Sequence, residues 1–192
     1  MFEIFYTYLT DKIRITEEEF ELIRSKGIIK KLRKRQYLLQ EGDVWRYYAF
    51  ICKGCLRTYR VDAHDNEHIL KFLIENWWAG DRESLLNGTP SRYNIDALED
   101  SVLLLFPRQD FEALRDQIPA FDQLITNLIH RSYIASQERI HAAISYTSEE
   151  KYLNFIEKYP DIFNRVPLHM IASYLGVSPE TLSRIRHLAV KK

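Results

Sequence analysis

Between residues 28 and 106 the chain runs in short apolar stretches rich in Ile, Leu, Tyr and Val. Polar or glycine-bearing breaks separate them at Glu41-Gly42-Asp43, Lys53-Gly54, His64-Asp65-Asn66 and Asn87-Gly88-Thr89-Pro90. Short strands at such spacing predict a β-barrel or sandwich. Alternation is plainest in Arg46-Tyr47-Tyr48-Ala49-Phe50-Ile51 and Leu56-Arg57-Thr58-Tyr59-Arg60-Val61, and Lys53-Gly54 between them predicts a hairpin. Ahead of this region, Thr16 and Glu19 form a capping box for a short helix carrying Phe20, Leu22 and Ile23, which Gly27 can end. Beyond Pro107 the period becomes helical. Phe111 and Leu114 lead into Pro119, after which Phe121, Leu124, Ile125, Leu128, Ile129, Ile134 and Ile140 carry an apolar stripe, with no Gly or Pro before Pro160. A helix over 119–146 is too long for a small barrel to cover its stripe, so a second copy of the chain is the expected partner. The alternative is a helix packed wholly within its own chain. Further helices are expected over 148–159, over 167–175 and from Pro179 to about Val190, with Pro160-Asp161 as a break.

The densest signal lies at Pro167-Leu168-His169-Met170-Ile171-Ala172-Ser173-Tyr174-Leu175-Gly176-Val177-Ser178-Pro179-Glu180-Thr181-Leu182-Ser183-Arg184-Ile185. Two helices crossing sharply need a small residue at the crossing, a turn residue with positive φ, and apolar residues that hold the angle. Ala172, Gly176 and the set Ile171, Leu175, Val177, Leu182 and Ile185 supply these. Ser178 is a favourable N-cap and Pro179 suits the first helical position. The second helix then presents Pro179, Glu180, Thr181, Ser183, Arg184 and His187 outward. In a helix-turn-helix these enter the major groove, where Arg binds guanine O6 and N7 and Glu accepts from cytosine N4. Ser178 and His169 complete the candidate DNA-binding set. On an unrelated bundle, Glu180 and Arg184 would be an ordinary exposed i,i+4 pair.

Composition narrows the choice. In 192 residues, 46% hydrophobic, there is material for one large or two small domains. Lys+Arg and Asp+Glu both number 27, so overall charge does not point to a polyanion. From Arg165 to Lys192, however, five bases stand against one acid, which suits phosphate contact. No apolar run is long enough to span a bilayer and the N-terminus lacks a signal-peptide pattern, so a cytoplasmic protein without a membrane partner is expected. Cys52 and Cys55 form a C-x-x-C that is expected to flank the Lys53-Gly54 turn, since no second thiolate pair exists to complete a metal site. His64, Asp65, Glu67 and His68 invite comparison with a cupin-type metalloenzyme. The two histidines straddle a turn, though, and read as solvated hairpin polarity, so no metal is expected. Catalytic triads, P-loops and dinucleotide fingerprints are missing from the sequence, which is read as non-enzymatic.

With these residues in view, the sequence resembles the Crp/Fnr family of transcription regulators over nearly its full length. Glu41-Gly42-Asp43 followed by Tyr48-Ala49-Phe50-Ile51 and Gly54 matches the family's cyclic-nucleotide-binding-like barrel. Ser178-Pro179-Glu180-Thr181-Leu182-Ser183-Arg184-Ile185 is similar to its recognition helix. The resemblance implies an α+β protein: an N-terminal double-stranded β-helix (cupin-like jelly-roll) sensor barrel over 1–118, a dimerisation helix over 119–146, and a C-terminal all-α winged-helix-like helix-turn-helix over 147–192. It implies a homodimer on double-stranded DNA, with base-reading roles for Glu180 and Arg184, an unidentified small-molecule effector, and RNA polymerase as a candidate partner. Pro179 stands where the family often has Arg, which implies a different operator. Members that bind cyclic AMP use a Gly-Glu pair on the ribose and an Arg-Ser or Arg-Thr pair on the phosphate. Here Gly80-Asp81 shortens the first, while Arg92 falls one position late and is followed by Tyr93, so cyclic AMP is not expected and no cofactor is assigned. Family members with an iron–sulfur cluster use four cysteines against two here. A sensor or interaction module that has the fold but does not bind DNA is the competing reading.

Overall fold

The computed structural model describes residues 1–189. Helices α1 (Phe2–Thr10) and α2 (Glu17–Lys26) precede strands β1 (Ile28–Leu32), β2 (Tyr37–Leu39), β3 (Tyr47–Lys53), β4 (Leu56–Val61), β5 (Glu67–Leu73) and β6 (Trp78–Ala79). Helix α3 (Arg82–Asn87) and strands β7 (Asn94–Ala97) and β8 (Ser101–Pro107) close the barrel. Then come α4 (Arg108–Gln117), α5 (Pro119–Ser145), α6 (Ser148–Lys158), α7 (Pro160–Phe163), α8 (Leu168–Leu175) and α9 (Pro179–Ala189). The strands form two four-stranded sheets, β1-β8-β3-β6 and β2-β7-β4-β5, in the jelly-roll arrangement the sequence predicts. Pro160 opens the short α7 instead of only breaking the chain. Val190, expected to end the last helix, lies outside the described residues, as do Lys191 and Lys192 of the basic C-terminal count.

The hairpin expected at Lys53-Gly54 does not form. β3 pairs with β8 and β6, whereas β4 pairs with β5 and β7, so the Cys52–Cys55 stretch crosses from one sheet to the other. Alternation identifies a strand but not its neighbour, and both runs are buried on two sides. Ala49 and Ile51 face the barrel interior with Leu56, Ile95 and Leu103. Phe50 and Cys52 face the opposite way, into a layer built from α1, α4 and the start of α5. Helix α1 seals this layer: Phe5 packs 4.6 Å from Phe50 and 5.5 Å from Phe106, centroid to centroid. α2 has the predicted Thr16–Glu19 capping box. Gly27 ends it in extended conformation (φ −84°), and a Cβ there would lie 2.6 Å from the Phe2 ring, so close packing explains the glycine.

A third core joins the two halves of the chain. Cys55, Tyr59, Ile69 and Phe72 on the second sheet pack with Tyr152, Phe155, Ile162, Val166, Ile171, Ala172, Leu182 and Ile185 from the C-terminal helices. Polar contacts bind the same boundary. The Ser173 hydroxyl accepts from Ile69 N–H (3.1 Å) and donates to Glu67 O (2.8 Å), capturing β5 with α8. Arg139 of α5 donates to the Leu70 and Ile69 carbonyls and lies over the Tyr174 ring. Among the described residues, no helix is long and apolar enough to cross a membrane.

Candidate nucleic-acid interface

Residues buried beneath it shape the α8–α9 unit. Ile171, Ala172 and Leu182 are almost wholly buried, and Ala172 lets the helices approach closely. Gly176 takes φ +68°, the left-handed conformation that ends α8 at little steric cost to a glycine. Val177 N–H then donates to Ala172 O at 3.0 Å. Ser178 acts as the predicted N-cap: its hydroxyl oxygen accepts from Thr181 N–H at 3.1 Å and its proton goes to the Thr181 hydroxyl at 3.1 Å.

The other side of α9 faces solvent. Pro179, Glu180, Ser183, Arg184, His187 and Leu188 line one shallow surface. Glu180 is an acceptor there, its carboxyl held below the usual range chiefly by its own backbone N–H. Of the eight sequence candidates, five therefore share this face. Ser178 and Thr181 are spent on capping, while His169 is exposed on α8, away from the α9 surface.

Arg165, counted in the basic C-terminal segment, is not a free phosphate ligand. Its guanidinium binds Glu75 at 2.7 and 3.0 Å and Glu99 at 2.5 Å, tying the approach to α8 onto the barrel. Sequence reasoning missed Ser173, Arg139 and Arg165 as anchors, because each acts on a partner at least 66 residues away.

Within the barrel half, a cleft of about 1860 Å³ runs between the sheets, α5 and the C-terminal helices. Gly80 and Asp81 line it; Arg92 and Tyr93 do not. Gly80 has φ +136°, and a Cβ there would stand 2.3 Å from Trp45 Nε1. The Asp81 carboxylate caps α3, accepting from Glu83 N–H (3.0 Å) and Ser84 N–H (3.4 Å), and also accepts from the Ser91 hydroxyl (2.8 Å). Arg92 is exposed, and Tyr93 lies 6.0 Å from the Arg60 guanidinium.

The two cysteines point into different cores, Cys52 towards α1 and Cys55 towards the C-terminal helices. Burial pushes their thiols up to about 11 and about 12. Glu67 is ion-paired with Arg57 and a ring nitrogen of His68 is hydrogen-bonded to Asp62, so these side chains of the hairpin cluster already have partners. Among the described residues, no group of three or more His, Cys, Asp or Glu could hold a metal ion.

Known proteins agree with this arrangement. The cyclic nucleotide-binding domain family matches residues 29–117. The chain is 27% identical over 189 residues to the fumarate and nitrate reduction regulatory protein of Vibrio cholerae, covering 90% of this chain and 74% of that one. It is 26% identical over 184 residues to the regulatory protein HlyX of Actinobacillus pleuropneumoniae, covering 88% and 76%. The structure of FixK2 from Bradyrhizobium japonicum superposes with a TM-score of 0.74 at 16% identity, over 86% of this chain and 85% of that one, and supports the fold. The named relatives are regulatory proteins. Barrel, long helix and exposed α9 thus occur together in a chain that carries a match to the cyclic nucleotide-binding domain family and is similar over about nine tenths of its length to these regulatory proteins.

Proposed function

We propose that the chain acts as a homodimer that reads an inverted repeat in duplex DNA through Glu180 and Arg184. The observation that carries this reading is the single exposed face of α9, held from behind by buried Leu182 and Ile185. Glu180 and Arg184, one turn apart, present an anionic acceptor and a forked donor to base edges, and His187 continues the same face. The functional regions are a sensor barrel over 1–118, a dimerisation helix over 119–146 and a reading head over 147–192. Paired through α5, two chains place their α9 helices in successive major grooves, about 34 Å apart.

The barrel is proposed to respond to an effector other than cyclic AMP, with no resident cofactor. Asp81 already accepts three hydrogen bonds, one from the Ser91 hydroxyl, and Arg92 is not aimed into the cleft. The bidentate phosphate grip that would supply much of the affinity is therefore not formed. An effector works by favouring one placement of the reading heads.

Selection of bound sequences from a random duplex pool tests both parts. Wild type is expected to enrich an inverted repeat whether or not cyclic AMP is added. Arg184→Ala is expected to relax preference at one position per half-site, by about 1–3 kcal/mol. Enrichment of no sequence would overturn the DNA-reading assignment, and enrichment only with cyclic AMP would overturn the effector assignment.

A further inference from the structure

Strand β5 carries a cation on a face that is otherwise apolar. Lys71 lies two residues before Leu73 and opposite Thr58, so it shares the inner face of the second sheet with Leu73 and Leu56, both in the barrel core. Its side chain is open to the cleft of about 1860 Å³. Among the described residues, the Lys71 ammonium has no ion-pair or hydrogen-bond partner.

Two charged groups act on it through space, the Arg139 guanidinium and the Asp81 carboxylate, and both are committed elsewhere. Arg139 donates to the Leu70 and Ile69 carbonyls and lies over the Tyr174 ring. Asp81 caps α3 and accepts from Ser91. Burial, and then Arg139, lower the Lys71 pKa against the opposing pull of Asp81. A walled-in ammonium without a bonded counter-ion is costly, and a bound anion removes that cost.

The walls say what else such an anion carries. All three tryptophans of the chain, Trp45, Trp77 and Trp78, line this cleft, together with Tyr47 and Tyr48. The acids on the walls are Asp81, bonded as above, and Glu138, bonded to Lys158 at 2.9 Å. Arg82 and Arg131 are exposed cations on the same walls, so the cleft is both aromatic and electropositive. We infer that the cleft takes a small aromatic carboxylate, with Lys71 Nζ as the specificity-determining contact to its anionic end. This inference rests on the effector role proposed for the barrel. A single charge is favoured over a phosphate dianion because one ammonium balances a monoanion, whereas the nearby Asp81 repels the second charge. The aromatic body replaces water against the tryptophans, as in an apolar pocket with few placed polar groups.

Because every tryptophan lines the cleft, intrinsic fluorescence reports its occupancy. The full chain is titrated with cinnamate, with its neutral counterpart cinnamamide, and with phenyl phosphate. Cinnamate is expected to change the fluorescence saturably and to bind about tenfold or more tighter than cinnamamide, the scale of one hydrogen bond to a charged group. Lys71→Met, which keeps the aliphatic stem, is expected to lose that advantage while binding cinnamamide as wild type does. Its melting temperature should be no lower than that of wild type, since it removes an unpartnered cation. Equal wild-type affinities for cinnamate and cinnamamide would overturn the anion contact without recourse to any variant. Cinnamate affinity that survives Lys71→Met would overturn the assignment to Lys71, and tighter binding of phenyl phosphate would overturn the single-charge class. Absence of binding by cinnamate and by the larger naphthoate would overturn the aromatic carboxylate itself. Affinity for the selected inverted repeat, measured with and without cinnamate, tests the premise separately. Lys71-dependent binding that leaves DNA affinity unchanged would support the ligand site and overturn the effector role.

Discussion

Gly54 shows how one residue directs the chain between sheets. At φ +113° its backbone lies where side-chain-bearing residues are strained, and an added Cβ would fall 2.0 Å from Ser101 Oγ and 2.7 Å from Ser101 Cα. The neighbouring backbone cannot give way, because Ser101 opens β8 opposite Leu32 in β1. Gly54→Ala is therefore expected to destabilise the barrel by at least about 1–3 kcal/mol, read as a shift in the urea midpoint. An unchanged midpoint would mean that the crossing has conformational slack. The sequence marked this position as a turn, which is correct, but named the wrong turn, because a glycine between two strand patterns is equally at home in a hairpin and in a crossover. The same limit applies to Cys52 and Cys55: their spacing was legible, but their opposite orientations depend on the layers packed on either side of β3 and β4.

At the level of elements, the union of barrel and reading head depends on contacts that no local pattern announces. Capping residues, Gly176 and the apolar positions of α8 and α9 were legible because each acts within a few residues. The Arg165–Glu75–Glu99 link joins residues 66 and 90 apart, so sequence alone registered Arg165 only as a positive charge. Burial opposes ionisation of Glu75, but hydrogen bonds from Arg165 and the Gly54 N–H outweigh it and hold the carboxyl below its ordinary value. A carboxyl lowered on folding contributes stability that is complete above its unfolded pKa, about 4.3, and is lost as pH falls through the folded value. Melting temperature is thus expected to decline below about pH 4.5, with a shallower decline in Arg165→Met. At pH 7 that variant should lose about 1 kcal/mol, since Glu75 and Glu99 are both partly exposed and screened. Parallel pH profiles for the two proteins would show that the link adds nothing to the boundary.

Across the whole molecule, the proposed pairing of two chains depends on α5. Its 27 residues extend about 40 Å, and its apolar side chains are buried within its own chain only along the first part. Phe121, Leu124 and Ile125 are buried against α4 and the helical layer, so packing within the chain accounts for this stretch. Further along, Tyr133 is 62% exposed, Ile140 53% and Ile144 81%, all apolar side chains on a helix with no covering element. Burying a large apolar side chain yields about 1.5–3 kcal/mol, and a symmetric pair of helices counts each residue twice. With Ile134 included, four such residues per chain, about 60% exposed on average, give about 7–14 kcal/mol before losses, comparable with the roughly 4–15 kcal/mol that association costs. Pairing is therefore expected at micromolar concentration, and it depends on this stripe. Replacing Ile140 and Ile144 together by Glu puts like charges at the centre of the pair while leaving the monomer core untouched, because neither side chain is part of it. The double variant is expected to sediment as a monomer with an unchanged far-UV spectrum. Its affinity for the inverted repeat should fall by about a hundredfold or more, because the two half-sites no longer act together. A variant that stays dimeric would move the interface off the exposed half of α5. A monomer that binds the repeat as tightly as wild type would show that a single α9 reads the site alone.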